Sequence, residues 1–150
     1  MRLLAALLLA LLFCNAAHAQ QTVRGTDPCF ANLPTSVSVN ISSPTTTSVV
    51  SISGTKVVYV CGFALTIAPS ATADTAQFEY GTGAACSSPT ALTGTFGNGV
   101  TVAASSAIAQ TVAHGGAGGT LFVAPSGTGL CILSAGSAVN IQGVVTYVQQ

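Results

Sequence analysis

The side chains that could perform acid–base chemistry are few. Outside the first 19 residues, His114 is the only histidine, and Asp27, Asp74 and Glu79 are the only acids. A Ser-His-acid triad would have to combine this histidine with one of these acids. His114 stands directly before a glycine-rich run, which is typical of a surface loop, and no Gly-x-Ser-x-Gly elbow is present. We therefore expect no catalytic triad and predict that the chain is not an enzyme.

A pair of carboxylates could also do chemistry, since glycoside hydrolysis needs two of them about 5–10 Å apart. Asp74 and Glu79 are close in sequence and lie at the two ends of one predicted strand. Five residues of strand span about 16 Å and place the two side chains on opposite faces. We interpret Asp74 as a turn residue before the strand and Glu79 as part of its solvent-exposed face.

Four cysteines lie outside the first 19 residues: Cys29, Cys61, Cys86 and Cys131. Because none of them forms a Cys-x-x-Cys pair, a zinc site is not indicated, and we expect no metal and no cofactor. An even number of cysteines in an exported chain predicts two disulfides, for which three pairings are possible. Cys61 and Cys131 fall in predicted strands and the other two in turn-rich segments, so we favour Cys61 with Cys131 and Cys29 with Cys86.

Three further features have a functional and a structural interpretation. The glycine-rich run at 115–119 lacks the lysine and the following helix of a phosphate-binding loop, which favours a hairpin loop. Asn40 begins an Asn-Ile-Ser acceptor motif, which matters only in a eukaryotic secretory pathway. Tyr59, Tyr80 and Tyr147 could line a sugar-binding face, but all three lie on strand faces that the alternation assigns to the core, which favours packing.

The N-terminus has the pattern of a secretory leader. Arg2 is followed by an apolar run of 11 residues at 3–13. Ala17 and Ala19 are then the two small residues of a small-x-small motif, which precedes a cleavage site. As a helix this run would be about 16 Å long, too short to cross a bilayer. We predict that residues 1–19, including Cys14, are a cleaved signal peptide and that the chain is secreted, either to the periplasm or outside the cell. No membrane attachment is expected after cleavage.

The remaining chain, 20–150, is poor in charge and rich in hydroxyl groups. Arg24 and Lys56 are its only basic residues, whereas Ser and Thr number 34. Nucleic acids and anionic membranes are bound through clusters of Lys and Arg, so neither is expected as a partner. The abundance of Val, Ile and Thr favours strands.

Alternation of apolar and polar residues marks the strands. Val37, Val39 and Ile41 share one face of a first strand, and Val50 and Ile52 share one face of a second, at 48–53.

The longest predicted strand runs from 56 to 67. Its odd-numbered residues, from Val57 through Tyr59 and Cys61 to Ile67, should face the core, and Gly62 indicates either a bulge or a close approach of another backbone.

Later strands are predicted by the same alternation. No helix is predicted, because Gly, Pro or Thr interrupts every stretch with a helical period. At 75–80, Ala76, Phe78 and Tyr80 should point inward, and a loop with Cys86 should follow at 81–89. Further candidates are 91–96, 99–103, 108–112, 120–123, 129–133 and 139–148. About eight or nine short strands predict an all-β, single-domain antiparallel β-sandwich, of jelly-roll or immunoglobulin-like type, with two disulfides.

Four segments together, at 58–63, 78–83 with Cys86, 130–132 and 143–149, resemble a group of small, uncharacterised all-β proteins of bacteria and tailed phages. The resemblance implies a role at a virion or cell surface and carries no catalytic or ligand-binding residue. We therefore expect a secreted structural or interaction protein, whose partner is a second copy of itself, a surface protein or a glycan. The alternative is a small carbohydrate- or ligand-binding module that uses the loops at 81–89 and 112–119.

Overall fold

The structure is a computed structural model that describes residues 27–67, 74–97, 110–114, 119–136 and 139–150. For 110–114 only the backbone is described. The predicted leader at 1–19 and the predicted strand at 99–103 lie outside these residues.

Strands form almost all of the regular structure in the described ranges. They are arranged in two antiparallel sheets, sheet A with the order β1-β9-β3 followed by β6 and β7, and sheet B with the order β2-β8-β4-β5. The elements are α1 Pro28–Ala31, β1 Thr35–Ile41, β2 Thr46–Val50, β3 Val58–Ile67, β4 Thr75–Thr82, β5 Ser87–Ala91, β6 Gln110–His114, β7 Phe122–Ala124, β8 Gly129–Ala135 and β9 Ile141–Gln149.

Strand pairing identifies the type of sandwich. β6 pairs with the second half of β3 and β7 with its first half, so these two strands occupy one position in sheet A. The pairs are then nested: β1 with β9, β2 with β8, β3 with β6 and β7, and β4 with β5. This nesting is the double Greek key of a jelly roll. In the immunoglobulin fold the first two strands share a sheet, whereas β1 and β2 lie in different sheets.

The core lies between the sheets, as the alternating pattern predicts. Val39 and Ile41 of β1 are buried, and Ile141 and Val145 of β9 lie on the same inner face. Phe63 of sheet A meets Phe78 of sheet B edge to face, with ring centroids 4.9 Å apart. The predicted β-sandwich is therefore confirmed.

The predicted orientation of β3 is wrong in its first half. Val58 and Val60 are buried, whereas Tyr59 and Cys61 are only half-buried. The pairing with β9 shifts between Val60 and Gly62, so a bulge at this point changes which residues face the core. Beyond the bulge the predicted inward residues are buried. Of the two alternatives expected at Gly62, the structure has a bulge, which lies between Val60 and Gly62, but its effect on the preceding residues was not predicted.

A short helical turn was also not predicted. α1 begins at Pro28 because the Asp27 side chain caps it: Oδ1 accepts a hydrogen bond from the Cys29 amide at 2.8 Å. An acidic N-cap followed by proline favours helix initiation. A single turn of four residues is too short to show an apolar period, which explains the missed prediction.

The segment at 81–89 is not the predicted loop. β4 extends to Thr82, and β5 begins at Ser87 after a tight turn, so the two form a hairpin. Pro89 lies within β5, which is compatible with its place at the edge of sheet B. The strand predicted at 91–96 is reduced to a single bridge between Ala76 and Phe96. The strand predicted at 48–53 corresponds to β2, which begins and ends two to three residues earlier, at Thr46–Val50.

Both predicted disulfides are present, but the favoured pairing is wrong. The bonds are Cys29–Cys61 and Cys86–Cys131. The bulge in β3 leaves Cys61 on the outer face of sheet A, where α1 brings Cys29 to it. The β4–β5 turn brings Cys86 to Cys131 of the adjacent strand β8. Each bond therefore joins a turn residue to a strand residue.

Candidate functional site

Asp27 is held by three hydrogen bonds. In addition to capping α1, its carboxylate accepts hydrogen bonds from the Thr120 amide and the Thr120 hydroxyl, each at 2.9 Å. The bond from the Thr120 amide makes the largest contribution to lowering the pKa of Asp27. The three donors tie α1 to the segment before β7, which gives this acid a structural role.

Asp74 comes directly before β4, as predicted, but it is buried, with 6% of its surface exposed. It packs against Gly97 and Gly136, and a Cβ atom on Gly136 would collide with its Oδ1 atom. The side chain therefore belongs to the packing at this end of sheet B.

Glu79 was predicted to be solvent-exposed, and this prediction is wrong. The side chain is only 6% exposed although it lies on the outer face of sheet B, opposite the buried Phe78. Its strand neighbours are Cys131 and Ala91. The next residue on this face, Gly81, would place a Cβ atom 2.8 Å from the backbone of Cys86. The β4–β5 turn thus folds back over the outer face and covers the glutamate.

The environment of Glu79 does not suit a carboxylate. Its Oε2 atom has no hydrogen-bond partner in the part of the chain that the structure describes. Burial removes water from the charged form and raises the pKa of this carboxyl group. Glu79 and Asp74 occupy separate environments, one beneath the hairpin and the other against Gly97 and Gly136.

Glu79→Gln is expected to raise the free energy of unfolding at pH 7 by about 1 kcal/mol, because the buried, unpaired charge is removed. The folded-state pKa is raised, so wild-type stability is highest below the ordinary carboxyl pKa and falls as the pH rises through the folded-state pKa. The gain should therefore shrink toward pH 4. Chemical denaturation of the oxidised protein at both pH values measures it.

Asp27→Asn provides the control for this experiment. The pKa of Asp27 is lowered, so its substitution should destabilise the protein at neutral pH, and the loss should fade in acid. Equal effects of Glu79→Gln at pH 4 and pH 7 would contradict the assignment of a buried, charged glutamate.

A groove of about 400 Å³ lies where the N-terminal segment crosses the end of β9. Most of its lining residues are polar and uncharged: Asn32, Thr35, Tyr147, Gln149 and Gln150, together with the apolar Leu33 and Val148. Leu33 is 94% exposed.

Hydrogen bonds fix the walls of the groove. Asn32 Nδ2 donates to Gln150 Oε1 at 3.1 Å, and Gln149 Nε2 donates to the Ser51 carbonyl at 3.1 Å. The Gln150 backbone is paired in both directions with Val57. The groove therefore presents neutral amide and hydroxyl groups on a braced backbone. It was not predicted, because its residues come from distant parts of the chain.

The tyrosines are all half-buried. Tyr80 and Tyr147 pack against the core, as predicted, whereas Tyr59 lies on the outer face because of the bulge. Asn40 is exposed in β1. His114 is the last residue of β6, and the glycine run that follows it lies largely outside the described residues.

Among the residues that the structure describes, no group of three or more His, Cys, Asp or Glu side chains could hold a metal. No helix in the described ranges is long and apolar enough to cross a membrane. Comparisons with protein families, characterised proteins and solved structures give no match for the chain.

Proposed function

We propose that this chain is a non-enzymatic structural or interaction protein that is exported and acts at the surface of a cell or a virion. The observation that carries the proposal is a sandwich with one disulfide on the outer side of each sheet. Disulfides indicate an oxidising, extracytoplasmic compartment. Such crosslinks suit a protein that must stay folded outside the cytoplasm.

The acids give no support to an enzymatic role. Asp27 is used to cap α1, Asp74 is packed between glycines, and Glu79 is covered by a hairpin. The exposed side of β1 carries Ser36, Ser38 and Asn40, so this surface is uncharged and hydroxyl-rich. Uncharged polar surfaces of this kind suit contacts with other proteins or with neutral glycans.

Resistance to proteolysis tests the structural role. The oxidised protein should resist thermolysin for hours at neutral pH, and the same protein with both disulfides reduced should be degraded much faster, because the crosslinks limit local opening. Rapid degradation of the oxidised form would argue against a protein that persists outside the cell.

A second candidate function is the binding of a neutral carbohydrate in the groove at Asn32 and Gln150. Amide and hydroxyl groups beside an aromatic ring are the groups that bind sugar hydroxyls and sugar faces in concave sites. If a glycan-array screen yields a ligand, Asn32→Ala should weaken its binding about tenfold through the loss of one amide. Ser36→Ala, outside the groove, is the matched control and should bind as the wild type does. Equal binding by both variants would remove the groove from consideration.

A further inference from the structure

The four sheet edges differ in how they are protected from further pairing. In sheet B, β5 carries Pro89 and has Ser88 at a φ of 50°, and the pairing of β2 shifts between Ser48 and Val50. On one side of sheet A the edge is divided between the short strands β6 and β7. Proline, bulges and short strands are the devices that prevent association through sheet edges.

The fourth edge, β1, has none of these devices. Its seven residues pair with β9 in an unbroken register from Thr35 to Ile41, without proline, glycine or charge. No described strand pairs with its outer side. A regular, uncharged strand of high β-propensity exposes a row of backbone donors and acceptors that can bind another strand.

We propose that β1 pairs with β1 of a second copy of this chain, which joins sheet A of the two molecules into one continuous sheet. This inference rests on the proposed interaction role and names the partner. A two-fold axis requires antiparallel pairing. Two residues that are paired across the interface must have their side chains on the same side of the sheet. Side chains alternate along a strand, so the two residue numbers must both be odd or both be even.

If all seven residues of both strands are paired, only one register is possible. In it the two-fold axis passes beside Ser38, the central residue of β1. In this register Val37 faces Val39 of the partner subunit, and Ser36 faces Asn40 of the partner subunit. The apolar inner row would extend the core across the interface, because Val37 is half-buried and Val39 is buried in the single chain. The outer row places small, neutral hydroxyl and amide groups together. The strand is thus complementary to itself.

A charge exchange at the axis tests the pairing. The oxidised wild-type protein should have twice the monomer mass in light scattering after gel filtration. Ser38→Lys and Ser38→Glu should each be monomeric, because like charges face each other across the axis. An equimolar mixture of the two variants should recover the dimer. Thr90→Lys, which places the same charge on the protected edge strand β5, should leave the dimer unchanged.

A cysteine at the same position gives a second measurement. Opposed residues in antiparallel strands have Cα atoms about 4.5–5.5 Å apart, within disulfide range. Ser38→Cys should therefore form a covalent dimer on mild oxidation. Ser36→Cys should not, because position 36 is paired with position 40 of the partner subunit, four residues along the strand from the second cysteine.

Three results would overturn the inference. They are a monomeric wild type, a dimer that survives Ser38→Lys, and a mixture of the charged variants that stays monomeric. A monomer that still resists thermolysin would refute the β1 pairing and leave the proposed structural role intact, so the two proposals fail separately.

Discussion

Replacing both Cys86 and Cys131 by alanine is expected to lower the free energy of unfolding by about 4 kcal/mol, as the chain-entropy relation gives for a crosslink of this span. The bond closes a segment of 45 residues. It also connects the β4–β5 turn to β8, the strand that lies between β2 and β4. Denaturant unfolding of the oxidised proteins measures the loss.

The matched control is the double alanine variant of Cys29 and Cys61. Its bond spans 32 residues, and the chain-entropy relation gives a similar loss of just under 4 kcal/mol. Cys86 and Cys131 are 2% and 0% exposed, so their removal also leaves unfilled space, whereas Cys29 and Cys61 are half-buried. We therefore expect the first variant to be the less stable. The reverse order would contradict this account of the two bonds.

Gly143→Ala is expected to lower the free energy of unfolding by about 3 kcal/mol or more. Gly143 is the third residue of β9 and has a φ of 154°, a conformation that is costly for other residues. An added Cβ atom would collide with the carbonyl oxygen of Ala64 in β3. Since β9 lies between β1 and β3, the displacement would disturb pairing on both sides. Thermal and denaturant unfolding measure the loss.

Gly54→Ala separates the steric effect from the conformational one. Gly54 also has a positive φ, 59°, but no atom lies within 4 Å of its added Cβ position. Its substitution should cost only about 1 kcal/mol, the cost of the left-handed conformation. If the two alanine variants lose the same stability, the close approach of β9 to Ala64 is not what requires glycine at position 143.

The sequence predicts strands best where one face is apolar and the other is polar. In β1, Val and Ile alternate with Ser and Asn, and the strand lies close to where this pattern places it. In β3 both faces are apolar, so the alternation does not reveal which set points inward. A single bulge between Val60 and Gly62 then reverses the choice for Tyr59 and Cys61.

The errors at the candidate sites have a common physical origin. The burial of Glu79 depends on the β4–β5 turn, which folds over the outer face of its own sheet, and no local pattern encodes that contact. The disulfide pairing depends on which turn lies over which strand. The groove joins Asn32 to Gln150, and amide residues at these two positions carry no signal of their proximity. Contacts between segments far apart in sequence account for each case.

The nested pairing of the strands also fixes the order in which the fold can be completed. Two interior strands, β9 of sheet A and β8 of sheet B, come last among the described strands, so neither sheet can be completed before they have been synthesised. Pairings of this kind are non-local and slow to form. Each sheet therefore depends on a strand that follows most of its partners in the sequence. Cys29 and Cys61 both precede Cys131 in the sequence, so theirs is the first native disulfide for which both cysteines have been synthesised.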